Sequence, residues 1–148
     1  MTRHVAAVFL AVVASAIFSG PAAGAIALDA RSVVTGTGTS ITLPHTVGVG
    51  MDRVMIVGVS TYNANKPVTS LTYGGAALTR LGFLDGGTGS NDRRMELWRL
   101  INPPIGTANV VVTFSSSAKS VIGAASFFGV DATTPNGAFV SNEARTNL

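Results

Sequence analysis

The chain has 148 residues, 47% of them apolar and only 11% charged, with ten Lys and Arg against seven Asp and Glu and no cysteine. Without cysteine there is no disulfide framework, no thiolate metal site and no cysteine nucleophile. The cations are scattered, and only Arg93-Arg94 are adjacent, so the slight basic excess is not the footprint of a nucleic-acid-binding face.

The N-terminus reads as a targeting segment. Arg3 and His4 give a short basic start, residues 5–19 are an apolar run broken by Ser15 and ended by Ser19, and Gly20-Pro21 precedes the small-x-small triplet Ala23-Gly24-Ala25. That order predicts a secretory signal peptide over residues 1–25, cut after Ala25. The alternative is an uncleaved anchor, but the apolar run is shorter than the ~20 residues a spanning helix needs. No later segment is long and apolar enough to span a bilayer, so the mature chain, residues 26–148, is expected as one domain, secreted or at the cell surface. Removing Arg3 leaves nine basic against seven acidic residues.

Residues 27–34 read as a first strand, Thr35-Gly36-Thr37-Gly38-Thr39 as a polar connector, and residues 40–43 as a second strand stopped by Pro44. RVMIVGVSTY, residues 53–62, is apolar on both faces and belongs in the centre of a sheet. Gly74-Gly75 between two strand-like runs suits a primed hairpin turn. DGGTGSND, residues 85–92, reads as a loop.

Residues 94–101 alternate polar and apolar side chains and carry the only Trp, and residues 108–114 alternate again. The intervening Asn102-Pro103-Pro104-Ile105-Gly106-Thr107 cannot continue a ladder, because proline lacks the donor and Gly106 is free to take a positive φ. Residues 120–130 form another strand, in which Gly123, Ala124 and Ala125 let a neighbouring layer come close. Beyond Asp131 the chain is polar and turn-rich. About eight short strands with no helical period outside the N-terminal segment predict an all-β, antiparallel, jelly-roll-like β-sandwich.

Several residues are candidates for chemistry. His45 is the only histidine after the N-terminal segment, and a Ser-His-Asp hydrolase would have to use it. It follows Pro44 at a strand end, no GxSxG motif occurs, and an exposed turn residue is the simpler expectation. Asp85, Asn91 and Asp92 offer hard oxygen ligands beside flexible glycines, which makes calcium the candidate cation and leaves no other cofactor indicated. The same composition makes a solvated hairpin loop.

Glu96 shares a strand face with Trp98 and Arg94. With Asp85, Asp92 or Asp131 it would supply the two carboxylates of a glycoside hydrolase; the plainer expectation is an ion pair with Arg94. Among Tyr62, Tyr73, Trp98, Phe127 and Phe128, exposed rings would make a sugar-stacking platform, with Trp98, Tyr73 and Glu96 as the candidate ligand-binding set; burial in the core is the default for such rings.

Taken together, Leu71-Thr72-Tyr73-Gly74-Gly75 with Leu78-Thr79-Arg80, Glu96-Leu97-Trp98 with Leu100, Asn102-Pro103-Pro104 with Gly106-Thr107, Val110-Val111-Val112, and Gly129-Val130-Asp131 with Thr134-Pro135 resemble a secreted bacterial β-sandwich domain of unknown function. The resemblance spans residues 32–135. It implies a surface or extracellular β-sandwich and carries no catalytic residue with it. Domains of this kind continue with several more strands after the Gly129-Val130-Asp131 segment, so the chain is expected to be either a shortened version or part of a longer domain. Residues 121–130 are apolar on both faces, so an unpaired C-terminal edge able to recruit a second copy is expected. The functional expectation is a non-enzymatic binding or structural module contacting glycan or matrix, with no nucleic-acid partner. The alternatives are a glycan-active hydrolase using Glu96 and a purely structural self-assembling unit.

Overall fold

A computed structural model describes residues 25–63, 65–87 and 92–142. The expected signal peptide and its cleavage site at residues 1–25 lie outside the described residues except for Ala25. The described chain is all-β and antiparallel, with β1 Ala27–Val47, β2 Val54–Tyr62, β3 Val68–Tyr73, β4 Ala76–Ala77, β5 Thr79–Gly86, β6 Arg93–Ile101 and β7 Gly106–Phe128. None of its helices is long and apolar enough to cross a membrane, because among the described residues it has only strands and turns.

The sheet is organised by two strands much longer than the short ones expected. β1 pairs with β7 from Ala27↔Phe128 to Val47↔Gly106. The other edge of β7 is shared between β3, against residues 110–114, and β2, against residues 119–127. β6 then pairs with β2, β5 with β6, and β4 with β3. β4 runs into β5 through Leu78 alone, so the sheet nearly closes on itself as a flattened barrel.

The Thr35–Thr39 stretch, expected as a connector, is strand. Between Gly38↔Ala118 and Ser40↔Thr113, β1 inserts one residue and β7 inserts Phe114, Ser115, Ser116 and Ser117. The ladder bends there without ending, and the inward parity of β1 switches from even to odd residues. β7 keeps even residues inward throughout: Val110, Val112 and Phe114 before the bend, Ala118 to Ser126 after it. A strand that bends but keeps one face inward wraps its own core. Ile41, Leu43, Val57, Val59, Leu71, Tyr73, Trp98, Val110, Val112 and Ile122 form one buried cluster drawn from both halves.

The two turns read from the sequence behave as expected. Gly74 and Gly75 have φ of 54° and 87°, the paired positive values of a type I′ hairpin, and Gly106 has φ 106°. The expected free C-terminal edge is corrected. β7 is paired on one edge by β1 and on the other by β2 and β3, so residues 121–128 lie in the middle of the sheet.

The outer face of the layer made by β1, β7, β2, β6 and β5 is read off the registers as four cross-strand rows. They run Thr37–Lys119–Tyr62–Arg93–Gly86, then Thr35–Val121–Ser60–Met95–Leu84, then Val33–Gly123–Gly58–Leu97–Gly82, then Arg31–Ala125–Ile56–Arg99–Thr79. No position in these rows is a carboxylate. After β7 the chain crosses back over one corner of this face. There Asn136 accepts from Arg99, and the Phe139 ring lies where a side chain on Gly82 would be.

Candidate functional site

The three residues expected to bind ligand are inside. Trp98 is 8% exposed, Glu96 3% and Tyr73 0%. Their strand faces point into the space between the layers, so each has a structural task there. Tyr73 donates to the carbonyls of Gly106 (2.7 Å) and His45 (3.3 Å), tying β3 to the start of β7. Trp98 fills the core beside Val57, with its indole N–H meeting no protein acceptor.

Glu96 Oε1 accepts from Arg94 Nε at 2.7 Å and from the backbone N–H of Val68 at 2.9 Å, joining β6 to β3 across the core. Arg80 lies 3.5 Å from Oε2. The Arg94 guanidinium also reaches both oxygens of Asp85 and stacks on Phe83 at 3.9 Å. Burial disfavours its charge, but hydrogen bonds to Glu96 and Asp85 outweigh that and hold Arg94 above the ordinary arginine range. The plainer sequence expectation, a Glu96–Arg94 pair, matches this geometry, but the pair is buried rather than facing solvent.

Of the calcium candidates, Asp85 accepts from the Arg94 guanidinium at 2.7 and 2.8 Å. Asn91 lies outside the described residues. Asp92 caps the turn with its carbonyl accepting from Asn63. Among the described residues no three His, Asp or Glu side chains converge as metal ligands.

His45 is not an exposed turn residue. The parity switch in β1 turns it inward, to 2% exposure, edge-on to Tyr73 at 6.1 Å. It sits in a directional chain. Ser126 donates to Asp29 Oδ2 (2.8 Å), because a carboxylate only accepts. Ser126 therefore accepts from His45 Nε2 (3.1 Å), and His45 Nδ1 accepts from Ser32 (2.9 Å). Asp29 is the extra residue of a bulge between Leu28 and Ala30, which aims its carboxylate at Ser126 and at the Gly48 N–H (2.8 Å).

A serine stands between imidazole and carboxylate, so this is not the order of a hydrolytic triad. It joins residues 29 and 32 of β1 to residues 45 and 48 across the folded strand. Nothing in the sequence signals it, because its members are adjacent only once β1 has bent.

What the molecule does present is on the outer face. A groove of about 500 Å³ is lined by Thr35, Thr37, Ser60, Tyr62, Arg93 and Lys119 among others. Tyr62 is 42% exposed, and the Arg93 guanidinium stacks on it at 3.9 Å. A second, more apolar depression of about 500 Å³ adjoins it, sharing Ser60 and Val121 and running over Gly58 and Gly123 toward Val140. Gly58 and Gly123 are register partners at the middle of central strands. Such glycines cost about 0.5–1 kcal/mol each relative to alanine. Neither has the positive φ that would demand glycine, and a side-chain carbon would come no closer than 3.9 Å to Leu97 at Gly58 or 4.0 Å to the Ser32 carbonyl at Gly123. The signal for this pair was legible as single glycines inside RVMIVGVSTY and SVIGAASFFGV; their alignment across strands was not. No family model, curated protein or solved structure matches the chain.

Proposed function

We propose that the protein is an exported, non-enzymatic binding module acting at the cell surface or outside the cell, and that it contacts glycan or matrix through the groove at Tyr62. The carrying observation is the composition of that groove: one exposed aromatic ring, two cations and the hydroxyls of Thr35, Thr37 and Ser60 on a rigid sheet. Rings bind the apolar faces of sugars while hydroxyls and cations fix their polar edges. Export rests on the Arg3, apolar-run and Ala23-Gly24-Ala25 order, and the resemblance to a secreted β-sandwich domain supports the same compartment.

The Glu96 hydrolase gains no support from position, since that carboxylate is buried and engaged by Arg94 and Val68. A glycan array probed with the purified protein is the test. Retention on a defined glycan class, weakened about tenfold or more by Tyr62→Ala as expected for a stacking anchor, supports the reading. No retention, or retention that Tyr62→Ala leaves unchanged, refutes it.

A further inference from the structure

We infer that the ligand of the outer face is an anionic amphiphile, with its acidic head at Lys119 and its apolar tail laid across the Gly58–Gly123 furrow. The inference rests on the groove proposed above and names the class of molecule that would fill it. The two depressions share Ser60 and Val121, so they form one continuous track. At one end are Lys119 and Arg93; at the other are Met95 and Val140, the last 86% exposed. Lys119 enters no ion pair among the described residues.

The glycine pair is an independent pointer to a ligand. Central strands normally fill such positions, and a glycine that neither the backbone angle nor the packing requires marks a place where something else approaches the backbone closely. Two facing glycines open a floor wide enough for an alkyl chain, between walls of Val33, Val121 and Met95. Charge sets the head. Every charged member of the four outer rows is a cation (Arg31, Arg93, Arg99 and Lys119), so an anion is attracted wherever it lands. The same fact weighs against a second copy as the occupant, because stacking this face on itself brings like charges together.

The test measures binding of dodecyl phosphate below its micelle threshold, with dodecyl maltoside as the uncharged-head control and a tail-less acidic oligosaccharide as the head-only control. Dodecyl phosphate should bind at least about tenfold more tightly than either control. Gly58→Val fills the furrow from open space and should remove that advantage; Gly123→Val does the same from the neighbouring strand if the first variant folds poorly. Lys119→Ala should weaken dodecyl phosphate about tenfold and dodecyl maltoside by much less, since only the phosphate head brings a charge to the lysine.

Vesicles of phosphatidylcholine with and without phosphatidylglycerol separate the sources. Retention only on the anionic vesicles, lost in Gly58→Val, places the amphiphile in a bilayer, and binding of the monomer without vesicle retention makes it a free molecule. If the acidic oligosaccharide binds wild type and Gly58→Val alike while dodecyl phosphate gains nothing, the groove reading stands and the amphiphile inference falls. If no probe binds, the amphiphile inference falls, and the glycan array decides the groove reading by itself. A dimer that forms without any probe and is lost in Gly58→Val overturns the inference in favour of a second copy.

Discussion

Removing the Glu96 carboxylate should be among the most damaging single changes in the chain. The side chain is 1% exposed and accepts from Arg94 at 2.7 Å and from the Val68 N–H at 2.9 Å. In Glu96→Ala, Val68 loses its acceptor, and the Arg94 guanidinium, itself 8% exposed, keeps only Asp85, which is 44% exposed. An uncompensated partner of a buried pair costs about 3–5 kcal/mol. With a slope of about 1–3 kcal/mol per molar urea, such a loss moves the unfolding midpoint by at least about 1 M. Glu96→Gln keeps an oxygen for Val68 and should lose less.

The double replacement Glu96→Leu with Arg94→Met removes both charges together, so most of the loss should be recovered. Urea titrations of wild type, Glu96→Leu, Arg94→Met and the double variant form the cycle, with Glu96→Ala and Glu96→Gln measured beside it. A Glu96→Ala midpoint within about 0.3 M of wild type, a difference worth under ~1 kcal/mol, would refute the claim that this pair joins β6 to β3.

Two further changes probe the core. Trp98→Ala should cost about 3–5 kcal/mol, as for other large buried aromatics. Trp98→Phe should cost far less, because it also removes an indole N–H that has no protein acceptor; equal losses in the two variants, read by thermal melts, would contradict this. His45 should make stability pH-dependent. Burial lowers its folded-state pKa below 6.5 and the charge of Asp29 only partly opposes that. The unfolded chain therefore binds the proton first, and stability is constant above about pH 6.5 and falls as the pH drops below it. His45→Gln should flatten unfolding free energy between pH 6.5 and 5, and a wild-type curve already flat there would count against the buried imidazole.

The fold class was legible because periodicity and turn chemistry are local. Gly74-Gly75 and Gly106 took the positive φ values their positions demand, and alternation through residues 94–101 placed Arg94, Glu96 and Trp98 on one face. What alternation could not say is which face is wet. Polar Arg94 and Glu96 suggest solvent, yet they satisfy each other inside, while apolar Met95, Val121 and Val33 lie outside.

Strand length was illegible for a related reason. Thr35-Gly36-Thr37-Gly38-Thr39 has the composition of a linker, and only its partnership with residues 118–121 of β7 keeps it extended. A free C-terminal edge was expected for want of partners following in sequence; the partners are β1 and β2, which precede it.

The bend joins the interior to the outer face. Because β1 and β7 fold over together, the inner sides of both halves are spent on each other, and several buried polar groups there are matched: His45 with Ser32 and Ser126, Glu96 with Arg94, Tyr73 with two carbonyls, whereas the Trp98 indole N–H and the Ser120 hydroxyl meet no protein partner among the described residues. The groove proposed as the binding surface lies on the opposite face. There the inward parity of β1 before the bend, set by even residues, turns Arg31, Val33, Thr35 and Thr37 outward beside Lys119 and Val121. The parity switch at Thr39 that buries His45 is therefore the same feature that lets β1 extend the outer face by one strand.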